Sequence, residues 1–380
     1  MKPETVAIHQ PGGRDRGALA EPICLSTTFD HGPANERPYG YEYIRDENPN
    51  VDALEARLAA LEHGSQALAF GSGMAAATAL LSGLERGSRV LFHSDTYFDV
   101  RDLAETRLPA LGVAVGVADL TDAAAFERTL SDDTRMVWFE TPSNPRLDIV
   151  DIGRVAAASQ AAGASVVVDS TFATPALQCP LTLGADVVLH SLTKYMGGHS
   201  DVQGGALVLR DDPALYTALK RQRRLTGGVL APFNAWLISR GLTTLHCRVR
   251  QQCETALGLA GRLAAHAAVA TVHYPTLPGR AGSELAARQM TAGGAMLSIE
   301  IAGGRAAALR VAAALSLFVN ATSLGGVESL VEHRASVEGP ESLAPPGLLR
   351  LSIGLEHIDD LWADLAAALA QAAWPAQLPG

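Results

Sequence analysis

The sequence predicts an α/β protein: a large domain built on a mostly parallel sheet, followed by a smaller C-terminal α+β domain. Three observations lead there. From about residue 51 to 230, short apolar runs alternate with helical periods, the pattern of strands whose crossovers cover both faces of a parallel sheet. Around residues 225–232 the alternation stops, and helices and strands no longer take turns. Finally, a chain of 380 residues with 48% hydrophobic content exceeds what one core accommodates, so two domains are expected.

The elements follow in order. Residues 1–50, rich in Gly, Pro and turn formers, read as an N-terminal arm. Leu54, Leu58 and Leu61 recur at i, i+4 and i+7 and predict a helix closed by His63-Gly64. A strand at 67–70, an Ala-rich helix at 74–84, a strand at 89–92, a helix at 100–108 and a strand at 113–117 come next. Apolar runs at 136–139, 165–168 and 186–189 predict further strands, with a helix at 152–162 between the first two. Helices at 236–242 and 251–266, strands at 296–301, 317–319 and 348–353, and a closing helix at 358–373 complete the chain. The division is an arm (1–50), a large domain (51–230) and a small domain (231–380).

Composition narrows the function. Net charge is −10 and the Lys and Arg residues are scattered, which argues against nucleic-acid partners. No apolar stretch reaches the roughly 18 residues of a membrane span, and no signal peptide opens the chain, so a cytoplasmic protein is expected. Cys24, Cys179, Cys247 and Cys253 lack CxxC spacing and read as buried free thiols. His190, His199 and His246 are too dispersed for a metal site, so none is expected. His199, in Gly-Gly-His-Ser-Asp, reads as a structural hydrogen-bonding residue, and the run from Arg221 to Arg224 as a solvated helix face.

The most informative stretch is Val187-Val188-Leu189-His190-Ser191-Leu192-Thr193-Lys194, an apolar run ending in hydroxyls and one lysine. Val166-Val167-Val168-Asp169 is a second run, ending in one carboxylate. In a parallel sheet, ligands bind beyond the carboxyl ends of the strands, where both residues fall. An amine to hold an aldehyde and a carboxylate to keep a ring nitrogen protonated are the two groups that pyridoxal 5'-phosphate requires.

Around these residues the chain resembles the Cys/Met-metabolism family of PLP-dependent enzymes almost from end to end. The resemblance is carried by Pro22-Ile23 with Leu25 to Phe29, Tyr43-Ile44-Arg45 with Asn48-Pro49, and Gly71-Ser72-Gly73-Met74-Ala75. It continues in Glu140 to Pro145, Asp169 to Pro175, the lysine segment, Ser323 to Ser329 and Arg350 to Gly354. The order and spacing of these segments make the match specific. It implies fold type I, the aspartate-aminotransferase-like fold, and a homotetramer, a dimer of dimers with shared active sites.

The resemblance implies roles residue by residue. Lys194 holds the cofactor and shuttles protons; Asp169 pairs with the ring nitrogen; Tyr97 stacks on the ring and assists deprotonation of the incoming amine. Gly73 and Met74, at a Gly-rich turn opening a helix, are expected to supply N–H groups to the phosphate, with the Ser191 and Thr193 hydroxyls beside them. Tyr43 and Arg45 match a pair supplied to the phosphate by a neighbouring subunit. Arg350 matches the ligand of the substrate α-carboxylate, with Asn144 and Ser323 near it. Glu42 matches an acidic position that meets the distal ammonium of cystathionine.

The implied reaction is γ-elimination or γ-replacement on cystathionine or an O-acyl-homoserine, of the cystathionine γ-lyase or γ-synthase type. β-Elimination, as in a cystathionine β-lyase, is the nearest alternative; an aminotransferase of the same fold is more distant, and a non-catalytic binding protein would have lost the lysine, the aspartate or the phosphate donors. Phe98-Asp99 departs from the Gly-Gly usual after the ring tyrosine, and Asp99 stands where methionine γ-lyases carry a cysteine. Thr322 and Ile44 also depart from usual residues, and the segment from Glu332 to Pro340 is shorter than the familiar form. Scission site and substrate therefore stay open at the level of sequence.

Overall fold

In the computed structural model, which describes residues 1–9, 17–340 and 342–372, the chain forms two compact units. One comprises residues 1–140 and 151–246, the other residues 141–150 and 247 onward.

The larger unit is built on seven strands: β1 (Gln66–Phe70), β2 (Arg89–His93), β3 (Ala114–Ala118), β4 (Thr134–Glu140), β5 (Ser165–Asp169), β6 (Val187–Ser191) and β7 (Gly205–Leu209). Their order is β1-β7-β6-β5-β4-β2-β3. The strands β3, β2, β4, β5 and β6 run parallel, and β7 is antiparallel to both of its neighbours. The sequence pattern found the parallel strands within two residues at each end, but passed over β7. Gly205-Ala206-Leu207-Val208-Leu209 follows β6 without a helical crossover, so no change of period marks it.

The helix Pro49–Glu62 shows why local sequence is decisive here. Asn48 caps it by accepting from the Asn50 N–H at 2.9 Å, Pro49 occupies the first turn, and His63 closes it in the left-handed region with φ 58°. Its Leu54, Leu58 and Leu61 are fully buried, each burial worth about 1.5–3 kcal/mol. On one face of the sheet, Leu68, Phe92, Trp138, Val167, Leu189 and Leu207 form a core with the helices Gly73–Leu81 and Phe98–Leu111. Alternate residues such as Leu91, Val137, Val166 and Val188 are equally buried on the other face, as a doubly covered sheet requires.

The run from Arg221 to Arg224 corrects an expectation. It lies in the helix Pro213–Thr226, but Arg223 is 4% exposed, ion-paired to Glu55 and donating to the Ala69 carbonyl at 2.7 Å. An isolated strand-end carbonyl and a buried carboxylate needed one cation, and periodicity cannot show that. The cysteines also differ from expectation. Only Cys253 is buried; Cys24 and Cys179 are half-buried and Cys247 is exposed, although all four are free thiols.

The smaller unit has a five-stranded sheet of β8 (Val269–His273), β9 (Met296–Ile301), β10 (Val319–Asn320), β11 (Leu330–His333) and β12 (Leu348–Ser352), ordered β10-β11-β12-β9-β8. All pairs are antiparallel except β10 with β11. Val331, Leu349, Leu351, Leu297 and Ile299 turn one face toward the helices Leu245–Ala264, Gly304–Ala314 and Ile358–Ala372, forming the core. The predicted last residue of the closing helix, Ala373, lies outside the described residues. The period-2 alternation places Glu332, Arg350 and Ser298 in register on the opposite face. Among the described residues no helix is long and apolar enough to cross a membrane, and no cluster of His, Cys, Asp and Glu could hold a metal.

Candidate active site

Asp169 ends β5 and Glu140 ends β4, and the two are paired in the register of the sheet. The Thr171 N–H donates to Asp169 Oδ1 at 2.9 Å. Burial pushes the Asp169 carboxyl up, against the opposing pulls of Thr171 and His190. A carboxylate so placed favours a cationic N–H partner.

Lys194 lies in the tight turn that follows β6. Its N–H donates to the Ser191 carbonyl at 3.2 Å, and its carbonyl accepts from Gly198 at 2.8 Å. The Thr193 hydroxyl donates to the Gly204 carbonyl at 3.1 Å and accepts from the Gly204 N–H at the same distance. Its one proton is thus directed at the loop in this arrangement. Ser191 differs. Its N–H donates to Thr171 Oγ1 at 2.8 Å, and its hydroxyl has no hydrogen-bond partner among the described residues.

Gly73 and Met74 open the helix Gly73–Leu81. Ser72 caps it by accepting from the Ala75 N–H at 3.0 Å, and the Ala76 N–H reaches the Ser72 carbonyl at 3.1 Å. The Gly73 and Met74 N–H groups come before the first intrahelical bond and have no partner among the described residues. A Cβ on Gly73 would sit 3.2 Å from Ser191 Cβ and 3.4 Å from its hydroxyl oxygen. On Gly205 it would sit 2.2 Å from the Ser72 carbonyl oxygen and 2.6 Å from the Gly73 nitrogen. Two glycines therefore let the turn lie flat on β7 with Ser191 beside it.

Tyr97 precedes the helix Phe98–Leu111. Its N–H donates to Glu140 Oε1 at 2.5 Å and its hydroxyl to Asp99 Oδ2 at 2.5 Å. Asp99, which breaks the family pattern, thus fixes the phenol as a donor. Glu140 was not expected; it ends an apolar run just as Asp169 does, and that was its signal.

In the arm, Thr28 and Tyr43 form an isolated antiparallel bridge, and the Arg45 guanidinium lies 5.3 Å from the Tyr43 ring centre. Glu42 is ion-paired to Arg37. Glu42, Tyr43 and Arg45 line a cavity of about 720 Å³ with Lys220, Arg221 and Arg224, and none of Lys194, Asp169 or Tyr97 enters it.

In the smaller unit, Arg350 is 4% exposed in the middle of β12. It donates to Asn144 Oδ1 at 3.0 Å and to the Ser323 carbonyl at 3.2 Å. Ser323 has φ 85°, and Asn144 belongs to the segment 141–150, which Ser298 fastens by donating to the Pro145 carbonyl at 2.7 Å. The three residues assigned to carboxylate binding are thus one cluster. Sequence reasoning missed its fourth member, Glu332, which pairs with Arg350 across the sheet. A carboxylate inside the apolar run Leu330-Val331-Glu332 was the available signal.

A second missed pair is His190 with Glu62, Nε2 to Oε1 at 2.6 Å, both almost fully buried. His199 Nδ1 lies 2.9 Å from the Gly197 carbonyl, a local structural bond.

The residues fit pyridoxal 5'-phosphate. Two helix-terminal amides and a hydroxyl without partners among the described residues suit a phosphate, the half-buried Asp169 suits a protonated ring nitrogen, and Lys194 lies three residues beyond Ser191. The family model described as Cys/Met metabolism PLP-dependent enzyme matches residues 4–370. A cystathionine gamma-synthase of Mycobacterium tuberculosis is 45% identical over 97% of this chain and 96% of its own length. A cystathionine beta-lyase of Coxiella burnetii is 40% identical over 93% of each. The crystal structure of metB from Corynebacterium glutamicum superposes with a TM-score of 0.95 at 41% identity, covering 98% of both chains. The chain belongs to the Cys/Met metabolism PLP-dependent enzyme family.

Proposed function

We propose that this enzyme catalyses γ-replacement or γ-elimination on cystathionine or an O-acyl-homoserine. The 45% identity with the M. tuberculosis cystathionine gamma-synthase, sustained along nearly the whole chain, carries this reading. The cofactor, when bound, supplies an electron sink for the carbon attached to the substrate nitrogen. Lys194 would hold the cofactor and, once the substrate amine has displaced it, its freed amine would take a proton from Cα and move protons between neighbouring carbons. Asp169 keeps the ring nitrogen protonated, and Gly73, Met74 and Ser191 hold the phosphate. Thr193 orders the lysine turn through Gly204.

Tyr97 packs on the ring. With its single proton engaged by Asp99, its oxygen is left to act toward the incoming amine as an acceptor, in keeping with a part in deprotonating that amine. Arg350, Asn144 and Ser323 take the substrate α-carboxylate. Tyr43 and Arg45 serve a neighbouring subunit, in keeping with their lining a cavity that Lys194 does not line. The assembly is a homotetramer with shared sites, acting in the cytoplasm. Glu42 meets a distal ammonium, in competition with Arg37.

A β-elimination reading is favoured by the match to the C. burnetii enzyme. Product analysis with cystathionine separates the two. Cysteine with 2-oxobutyrate indicates γ-scission, and homocysteine with pyruvate indicates β-scission. Formation of cystathionine from an O-acyl-homoserine and cysteine indicates the synthase. Absence of all three products would overturn the proposal.

A further inference from the structure

The smaller unit contains a buried chain of charges that the proposed reaction leaves partly unused. Glu338 Oε1 accepts from Arg334 Nε at 2.7 Å, and Arg334 Nη1 lies 3.3 Å from Glu332 Oε2. The same Glu332 oxygen is ion-paired to Arg350 Nη2. The side chains of Arg350, Glu332 and Arg334 are 4%, 3% and 6% exposed. Two guanidiniums thus converge on one carboxylate oxygen, while Glu332 Oε1 is buried without a hydrogen-bond partner among the described residues.

Stability alone does not account for this arrangement. A buried ion pair is commonly no better than packed hydrocarbon, and a guanidinium is among the costliest groups to bury. Sharing has a consequence for binding, however. With Arg350 as its only partner, Glu332 would neutralise that arginine and repel an arriving carboxylate. With Arg334 on the same oxygen, part of the carboxylate's field is already answered, and Arg350 keeps more attraction for a second anion. At the low effective dielectric of a buried site such differences are large.

We propose that Arg334 is a positioning residue for substrate binding: by sharing Glu332 with Arg350, it sets how tightly Arg350 holds the carboxylate of an amino acid, without touching it. The inference rests on the assignment of Arg350 to that carboxylate. Two substitutions move the balance in opposite directions. Arg334→Gln leaves Glu332 to Arg350 alone and weakens carboxylate binding. Glu332→Gln frees Arg350 and strengthens it. Damage to the fold would weaken binding in both.

The test measures binding of L-alanine to the cofactor-loaded enzyme through the change in cofactor absorbance. Ethylamine, which lacks the carboxylate, serves as the control. Arg334→Gln is expected to weaken L-alanine about tenfold, Glu332→Gln to tighten it, and Arg334→Lys to restore it to within about threefold of the parent, with ethylamine unchanged throughout. Unaltered L-alanine binding in Arg334→Gln, equal weakening of both ligands, or weaker binding in Glu332→Gln would overturn the inference. Arg350→Lys separates the two layers. If it leaves L-alanine affinity intact, the Arg350 assignment fails and the inference with it. If it weakens L-alanine while Arg334→Gln does not, only the role of Arg334 fails.

Discussion

The two sheets handle charge in opposite ways. In the seven-stranded sheet the candidate groups sit at strand ends; among the described residues the Gly73 and Met74 amides and the Ser191 hydroxyl lack partners, and Asp169 accepts from its near neighbour Thr171. In the five-stranded sheet the functional arginine sits in the middle of a strand, with Glu332 and Asn144 already on it. In the first arrangement donors wait for a ligand; in the second the arginine is already engaged and must be shared when a ligand comes. The contrast follows from position. A strand end in a parallel sheet opens to a crevice, whereas a row across an antiparallel face has neighbours on both sides.

Substitutions break or sharpen this contrast. Lys194→Ala should have the largest effect: loss of the absorbance of the attached cofactor and a fall in turnover of about 10²–10⁴-fold or more. Retention of that absorbance would reject the lysine.

Arg350→Leu should come next, because it leaves Glu332 facing Arg334 alone in a buried site. Since Arg334 still compensates Glu332, a loss of about 1.5–3 kcal/mol in urea unfolding is expected, the same with and without cofactor. A loss seen only in the loaded enzyme would show that Arg350 is held by the ligand and not by its row.

Asp169→Asn tests the other sheet through pH. Burial raises this carboxyl in the folded protein, so the folded state holds its proton more tightly than the unfolded chain does. The associated stability is present at about pH 4 and below and is lost as pH rises through the folded value. Cofactor-free Asp169→Asn should therefore melt higher than the parent at pH 8 and about equally at pH 4, while binding cofactor more weakly. A lower melting temperature at pH 8 would mean that Asp169 is satisfied without its ligand.

Asp99→Ala should have the smallest effect on stability, about 0.3–1 kcal/mol from a lost acid at a helix N-terminus. Its effect on turnover should be greater than that, since Tyr97 loses its acceptor. A kcat unaffected by the change would dismiss the Tyr97–Asp99 pair.

The sequence made strand-end chemistry legible because an apolar run ending in one polar residue is conspicuous; the proposals for Lys194 and Asp169 rest on that signal. It made the helix Pro49–Glu62 legible through its leucine period and its cap. It did not reveal β7, which has no crossover helix before it, or β8 and β11, which lie among residues of mixed period. Nor did it reveal Glu332, Arg334 or Arg223, because partners across a sheet are distant in sequence and a buried charge looks like a surface one. Asp99 was noticed as a departure from a pattern, but its bond to Tyr97 needed coordinates. Thr193 was assigned from its place before the lysine, and only the structure shows its hydroxyl turned to Gly204.

The position of β7 also governs how the chain must fold. It lies between β1 and β6, so β1 has no other strand beside it, and Gln66 waits for Leu209. The turn proposed to hold the phosphate follows β1, and its support, Gly205, begins β7. On a ribosome, roughly the first two hundred residues must emerge before that turn can be seated. Closing so long a loop makes this step slow, and until then the edge of β6 is open to wrong partners. The proposed cofactor site is thus incomplete until β7 is in place, and a cofactor that needs this turn selects chains whose sheet has closed.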